Sequence, residues 1–163
     1  GDIKKGLSNF KVDHHRIETV LVKDGVTWVN DSKATNPHSA IASILSHEKV
    51  IWIAGGLAKG ADMDPLIKRI SKRLKHAILI GSDSLLIEKS LREYAPHVEL
   101  SHIDKTGSSE DFMDAIVGQA SKIAESGDVV LLAPACASMD QFISYAQRGS
   151  LFADSVARIV GKK

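Results

Sequence analysis

Cysteine is almost missing from this 163-residue chain; Cys136 stands alone. One thiol cannot close an intrachain disulfide, so the fold must be held by its core, and the chain fits a reducing compartment. Aromatic residues are scarce, at 5%, and none interleaves with a basic patch as single-strand nucleic-acid binders require. Neither sign of charge dominates. Lys and Arg number 21, Asp and Glu 20, and the formal net charge is +1. Bulk electrostatics therefore give no argument for a nucleic-acid or membrane partner. No apolar run approaches the roughly 20 residues of a membrane-spanning helix. The opening GDIKKGLSNF has no signal-peptide pattern and no starting Met, so either Gly1 is an added residue or the chain is cut from something longer.

What remains is an ordinary globular composition, 44% apolar and 25% charged, at a length that points to one domain with one sizeable core. Ile17–Val22 and Val26–Asp31 flank Lys23-Asp24-Gly25, and Asp-Gly between β-rich runs is a hairpin signal. After Asn36-Pro37, an N-cap followed by a first-turn proline, Ala40, Ile41, Ile44 and Leu45 fall on one helical face. From there the pattern alternates. Strands are predicted at Lys49–Gly56, His76–Gly81, His97–His102 and Asp128–Ala135. Helices are predicted over Pro65–Leu74, from Ser82 or Asp83 to Tyr94, over Ser109–Ser126 and over Leu151–Val160. A hairpin followed by repeated β-α units predicts an α/β, Rossmann-like, doubly wound and mostly parallel sheet. Ligands in such sheets bind beyond the carboxyl ends of the strands. The polar segments Asp31–Asn36, Gly55–Asp62 and Ala133–Gln141 all follow strands; Gly81–Ser84 does so with less chemistry.

Each polar segment has a plain reading beside a chemical one. GGLAKGADMD (Gly55–Asp64) is glycine-rich and holds Lys59, but a phosphate loop needs Lys and Ser or Thr directly after its second glycine, and Ala61 and Asp62 stand there. It reads equally as a flexible loop with a solvated lysine. APACASMDQF (Ala133–Phe142) offers small residues and free backbone N–H groups to an anion, or a capping box from Ser138 to Gln141. Cys136 has no partner histidine visible in sequence and fits a structural role better than a nucleophile's. Asp13, His14 and His15 are too crowded for zinc and read as a polar loop, whereas the planar fork of Arg16 suits phosphate or a purine face. The remaining histidines, His38 and His47 among them, are expected at the surface.

Four stretches in order, HHRIE, GVTWVNDSKATNP, GGLAKGADMDPL and DVVLLAPACASMDQFISYAQRGSLFA, resemble the C-terminal domain of the Mur ligases, from about residue 6 to the end. The blocks NDSKATN and PACASMDQF are those of the branch that adds D-glutamate. The resemblance implies an ATP-dependent ligase of peptidoglycan precursor synthesis. ATP phosphorylates the carboxylate of UDP-N-acetylmuramoyl-L-alanine, the amine of D-glutamate attacks the acyl phosphate, and phosphate leaves. Residues 1–163 would be the amino-acid-binding domain. The UDP-binding domain and the central ATPase domain, with its phosphate loop and Mg²⁺ ligands, would lie outside this chain, which alone would be inactive.

By the same resemblance, Arg16 and Asp31 meet ATP, Asp31 at the ribose, and Lys33 stands near the reacting groups as the catalytic residue. Thr35, Lys59, Ser138, Met139 and Tyr145 meet D-glutamate, with Tyr145 where the family commonly has Phe. No metal ligand is expected in this chain. The implied setting is a bacterial cytoplasm, with a monomer and neither nucleic acid nor membrane as partner. Two rivals stand beside this reading: a stand-alone Rossmann-like module that senses an acidic amino acid or nucleotide, and a domain of a folylpolyglutamate synthase-like ligase. An upstream ATPase domain would separate the first rival; the DSKATN and PACASMDQF blocks argue against the second.

Overall fold

The computed structural model describes residues 17–162. β1 (Glu18–Lys23) and β2 (Val26–Asn30) form an antiparallel hairpin. Asp24 and Gly25 both take positive φ, +53° and +79°, as a two-residue turn matched to strand twist demands. α1 (Pro37–Leu45) begins where the sequence places it: the Asn36 side chain accepts from Ser39 N at 3.0 Å. β3 (Val50–Gly55) is buried along its whole length. There follow α2 (Asp64–Ile70), β4 (Leu74–Ile80), α3 (Ser84–Tyr94), β5 (Glu99–His102), α4 (Ser109–Ile123) and β6 (Val129–Leu132). α5 (Tyr145–Ser155) ends the fold and widens into a π turn over Val156–Val160.

The six strands lie in the order β1-β2-β6-β3-β4-β5, parallel except for β1. Alternate residues feed two apolar layers, as the period of a strand requires. Val29, Trp52, Leu79 and Leu131 face α1, α2 and α3. Trp28, Ile53, Ile78 and Leu132 face α4 and α5. Adjacent strands β3 and β6 therefore send their following helices to opposite faces. That divergence opens a crevice at their carboxyl ends, where doubly wound sheets bind ligands.

Two boundaries differ from expectation for local reasons. The helix predicted to reach Leu74 stops at Ile70 and tightens into a 3₁₀ turn over Ser71–Arg73. Leu74 is needed for the β-ladder, opposite Val50. Arg73 Nη1 meanwhile donates to the Leu45 and His47 carbonyls at 2.7 and 2.9 Å, satisfying acceptors left at the end of α1. The last helix starts at Tyr145, not Leu151, because Ser144 caps it by accepting from Gln147 N at 3.1 Å. Its polar first turn, Tyr145-Ala146-Gln147-Arg148, hid the apolar period.

Candidate ligand site at the carboxyl edge

Three loops leave this edge of the sheet and are tied to one another by backbone. Asp31 N donates to Leu132 O at 2.8 Å, and Ala135 N donates to Ala34 O at 2.9 Å. Those bonds lock the bend after β2 to the loop after β6. Leu57 and Ala137 exchange two backbone hydrogen bonds of 2.9 Å, which joins the glycine-rich loop to the same segment. The bend after β4 completes the lacing. Asp83 Oδ2 accepts from Ala58 N and Asp140 Oδ2 from Ser82 N, each at 2.8 Å. Asp83 therefore opens α3 without a side-chain cap bond, its carboxylate being used across the crevice. Asp140 does likewise, and no helix begins at Ser138, so the capping-box reading of that stretch does not hold: its turn closes through Ser138 O, which accepts from Gln141 N and Phe142 N at 3.0 and 2.9 Å.

The candidate residues are distributed over this framework as follows. Asp31 is buried and lines a cavity of about 290 Å³ together with Lys33, His38 and Ser39, walled by Ile17, Ala34 and Ala42. Lys33 is half-buried, and its Nζ lies 6.0 Å from the Tyr145 ring centroid, within reach of cation–π attraction. That one lysine thus stands between the cavity and the start of α5. Thr35 is half-buried on the same bend. Lys59 is exposed at the tip of the glycine-rich loop, in a left-handed conformation with φ +53°. Ser138 is buried, and Met139 beside it is 69% exposed. Arg16 lies outside the described residues. Lys59 is two residues from Leu57, and Ser138 follows Ala137, so the Leu57–Ala137 pairing brings their loops together.

Beneath the loops lies a residue that sequence reasoning missed. Arg148 is 1% exposed. Its Nε donates to Ser32 Oγ at 2.8 Å, Nη2 to Ser32 O at 2.7 Å, and Nη1 to Cys136 O at 3.2 Å. Ser32 Oγ in turn donates to Tyr145 O at 2.7 Å. Asn30 supports the same knot: Nδ2 donates to Gly149 O at 3.2 Å, while Oδ1 accepts from Ser32 N at 3.1 Å. Burial draws the Arg148 pKa down to about 10, which still leaves it charged at neutral pH. No carboxylate forms an ion pair with it among the described residues. The signal was present in sequence, since Arg148 stands four residues before Phe152, on the stripe α5 buries.

Burial pushes the Cys136 thiol up to about 12, so it is neutral at pH 7 and no thiolate nucleophile. His38 is exposed as expected. His47 is not a free surface residue: it is half-buried, and its Nε2 is enclosed without a hydrogen-bond partner. No group of three or more His, Cys, Asp or Glu side chains among the described residues is placed to hold a metal ion. No described helix is long and apolar enough to cross a membrane.

The sheet is doubly wound, and its carboxyl-edge loops, where ligands of such folds bind, carry lysines, hydroxyls and a buried carboxylate. Residues 15–136 match the family model described as "Mur ligase, glutamate ligase domain", and the chain belongs to that family. It is 48% identical over 157 residues to the UDP-N-acetylmuramoylalanine--D-glutamate ligase of Streptomyces coelicolor, covering 96% of this chain and 33% of that protein. The ligase of the same name from Mycobacterium avium is 42% identical over 179 residues, covering 94% of this chain and 36% of that protein. The chain thus spans about a third of the length of the curated relatives it matches. The fold is shared with the crystal structure of UDP-N-acetylmuramate-alanine ligase MurC from Thermotoga maritima. The TM-score is 0.58 at 15% identity, over 98% of this chain and 33% of that one.

Proposed function

We propose that this chain is the C-terminal, amino-acid-binding domain of an ATP-dependent ligase that joins D-glutamate to UDP-N-acetylmuramoyl-L-alanine in peptidoglycan precursor synthesis, through an acyl phosphate. The observation that carries the proposal is the near-complete alignment of the chain with relatives bearing that activity in their names, at 40–48% identity. The lacing of the loops that hold Thr35, Lys59 and Ser138 supports it. D-Glutamate carries two carboxylates and an amine. Lys59 is positioned on a loop tip to meet one carboxylate. The Ser138 hydroxyl and the Met139 N–H serve the other, while Thr35 and Tyr145 line the approach. Lys33 stands between this region and the Asp31 cavity, where reacting groups from two substrates would meet.

ATP fits the chain in part. Asp31 beside a cavity of about 290 Å³ suits the hydroxyls of a ribose, since a carboxylate accepts strong hydrogen bonds, and Arg16 is assigned to the same nucleotide. The sequence holds no phosphate loop, and no group of three or more His, Cys, Asp or Glu among the described residues is placed to hold a metal ion. Phosphate and Mg²⁺ binding are accordingly assigned to a central ATPase domain, and the UDP moiety to a further domain, in a monomeric, cytoplasmic bacterial enzyme.

The test is phosphate release by the full-length protein from ATP, with UDP-N-acetylmuramoyl-L-alanine and either D- or L-glutamate. Release that needs the nucleotide sugar and D-glutamate together is expected. Release that ignores D-glutamate, or serves L-glutamate equally, would overturn the proposal.

A further inference from the structure

The guanidinium of Arg148 bonds to two of the three loops assigned to the amino-acid site. On one side it holds Ser32 through the side chain and the carbonyl, at 2.8 and 2.7 Å; on the other it holds Cys136 O at 3.2 Å. Thr35 lies three residues beyond Ser32, and Ser138 two beyond Cys136. Ser32 passes the tie onward to Tyr145 O at 2.7 Å, the first residue of α5. One planar, rigid group therefore fixes how far apart the Thr35 and Ser138 sides of the site stand, and where Tyr145 sits between them.

We infer that Arg148 is a positioning residue that sets the length of amino acid the site accepts, through the spacing of the Ser32 and Cys136 backbones. This inference rests on the proposed placement of D-glutamate between those loops. Three facts favour spacing over simple core support. Among the described residues the hydrogen bonds of Arg148 go to the loops, and its acceptors are two carbonyls and a hydroxyl, not a carboxylate. Burying a charge without a carboxylate is costly, and an apolar residue would fill the same space at less cost. The same two loops are already paired at Ala34 and Ala135, so Arg148 adds a second constraint on their spacing. A lysine at 148 keeps the charge but is a single point donor on a flexible stem and cannot span Ser32 and Cys136 in a fixed plane.

Substrate length reads this directly. Glutamate and aspartate differ by one methylene, and a site whose Thr35 and Ser138 walls are held at a fixed spacing discriminates between them by length. In the full-length ligase, Arg148→Lys is expected to lower the ratio of kcat/KM for D-glutamate over D-aspartate by roughly tenfold or more, the order a single methylene commands in a shaped site. Ser32→Ala removes the Nε acceptor and the link to Tyr145 but leaves the Cys136 bond in place; it should move the ratio the same way by less, and serves as the second test if Arg148→Lys does not fold. Thermal unfolding separates support from spacing. A residue that merely holds the fold together would depress both amino acids in proportion and leave the ratio unchanged, and that result in a folded variant overturns the inference. A wild-type enzyme with no D-glutamate-dependent turnover would instead remove the functional proposal on which the inference rests.

Discussion

A lysine at a loop tip contributes to binding only through what it meets there. Lys59 is exposed and held at positive φ, a conformation uncommon for residues other than glycine. If it pairs with a D-glutamate carboxylate once the site is closed, Lys59→Ala leaves that anion with one fewer partner. Removing one member of a desolvated charge pair costs about 2–5 kcal/mol. The kcat/KM for D-glutamate in the full-length ligase should then fall roughly 30-fold or more, with a far smaller change in the KM for ATP. Asp31→Ala should give the reverse pattern, because Asp31 lines the cavity proposed for the ribose. The contrast is the informative part, since global damage would lower kcat/KM for both substrates together. Residue types flagged the loops that carry Lys59, Asp31 and Ser138, and the family resemblance supplied the role expected of each. Neither revealed Asp83 or Asp140, whose bonds join segments far apart in the chain and leave no local pattern, and the helical stripe marks Arg148 as buried without showing what it holds.

At the scale of the element, the site depends on how closely two loop backbones approach. Gly81, after β4, has φ +85°, and a Cβ built on it would lie 2.4 Å from both the Cα and N of Gly56. That contact is with backbone, which cannot rotate away. Gly60 has a similar φ of +78° but open space around its missing Cβ. Gly60→Ala should cost only the left-handed penalty, about 1–2 kcal/mol, whereas Gly81→Ala should exceed about 3 kcal/mol, because strain and a packed-backbone clash add. Chemical denaturation of both variants measures the difference; equal losses would mean that the β3 and β4 loops separate at little cost. Such tertiary contacts also explain which elements were legible. β3 and the hairpin were read correctly because burial on both faces and the Asp-Gly turn are written locally. The ends of α2 and α5 were not. Ladder pairing at Leu74 overrides helical period in one, and the Ser144 cap starts the other within a polar turn.

Acid tests the molecule as a whole. His76 is buried on β4, and its Nε2 lies 2.7 Å from Ser101 Oγ. Desolvation lowers its pKa, and burial lowers that of His47 as well. In the unfolded chain both would titrate near the ordinary histidine value of about 6.5. Between that value and the lower folded pKa the unfolded state binds more protons, so stability falls as pH drops below about 6.5 and levels off below the folded pKa. Glu88 and Asp114, held low by Arg92 and Arg158 respectively, add a second loss as pH falls past the ordinary carboxylate range. Unfolding free energy measured from pH 7.5 to 5 should therefore decline with acid, and His76→Gln should flatten part of that slope; a slope unchanged in the variant would assign the effect elsewhere.

The two apolar layers that enclose the sheet also bear on what this chain does without neighbours. Both faces are covered from within the chain, so it should fold alone with one cooperative thermal transition. Folding is not turnover. Phosphoryl transfer requires groups that clamp the phosphates and a metal that neutralises developing charge, and the sequence carries no phosphate loop to supply that clamp. The isolated chain should bind D-glutamate only weakly, with a dissociation constant on the order of millimolar, because a small, strongly hydrated amino acid gains few contacts against the entropy of association. Amide shifts near Thr35, Lys59 and Ser138 should report that binding in an NMR titration. No ATP hydrolysis above background should accompany it, with or without Mg²⁺. Clear Mg²⁺-dependent turnover by the pure chain would place the phosphoryl-transfer machinery inside these 163 residues. Binding in the micromolar range would mean a site preorganised without its neighbours, as a sensor requires and a domain-closing ligase does not.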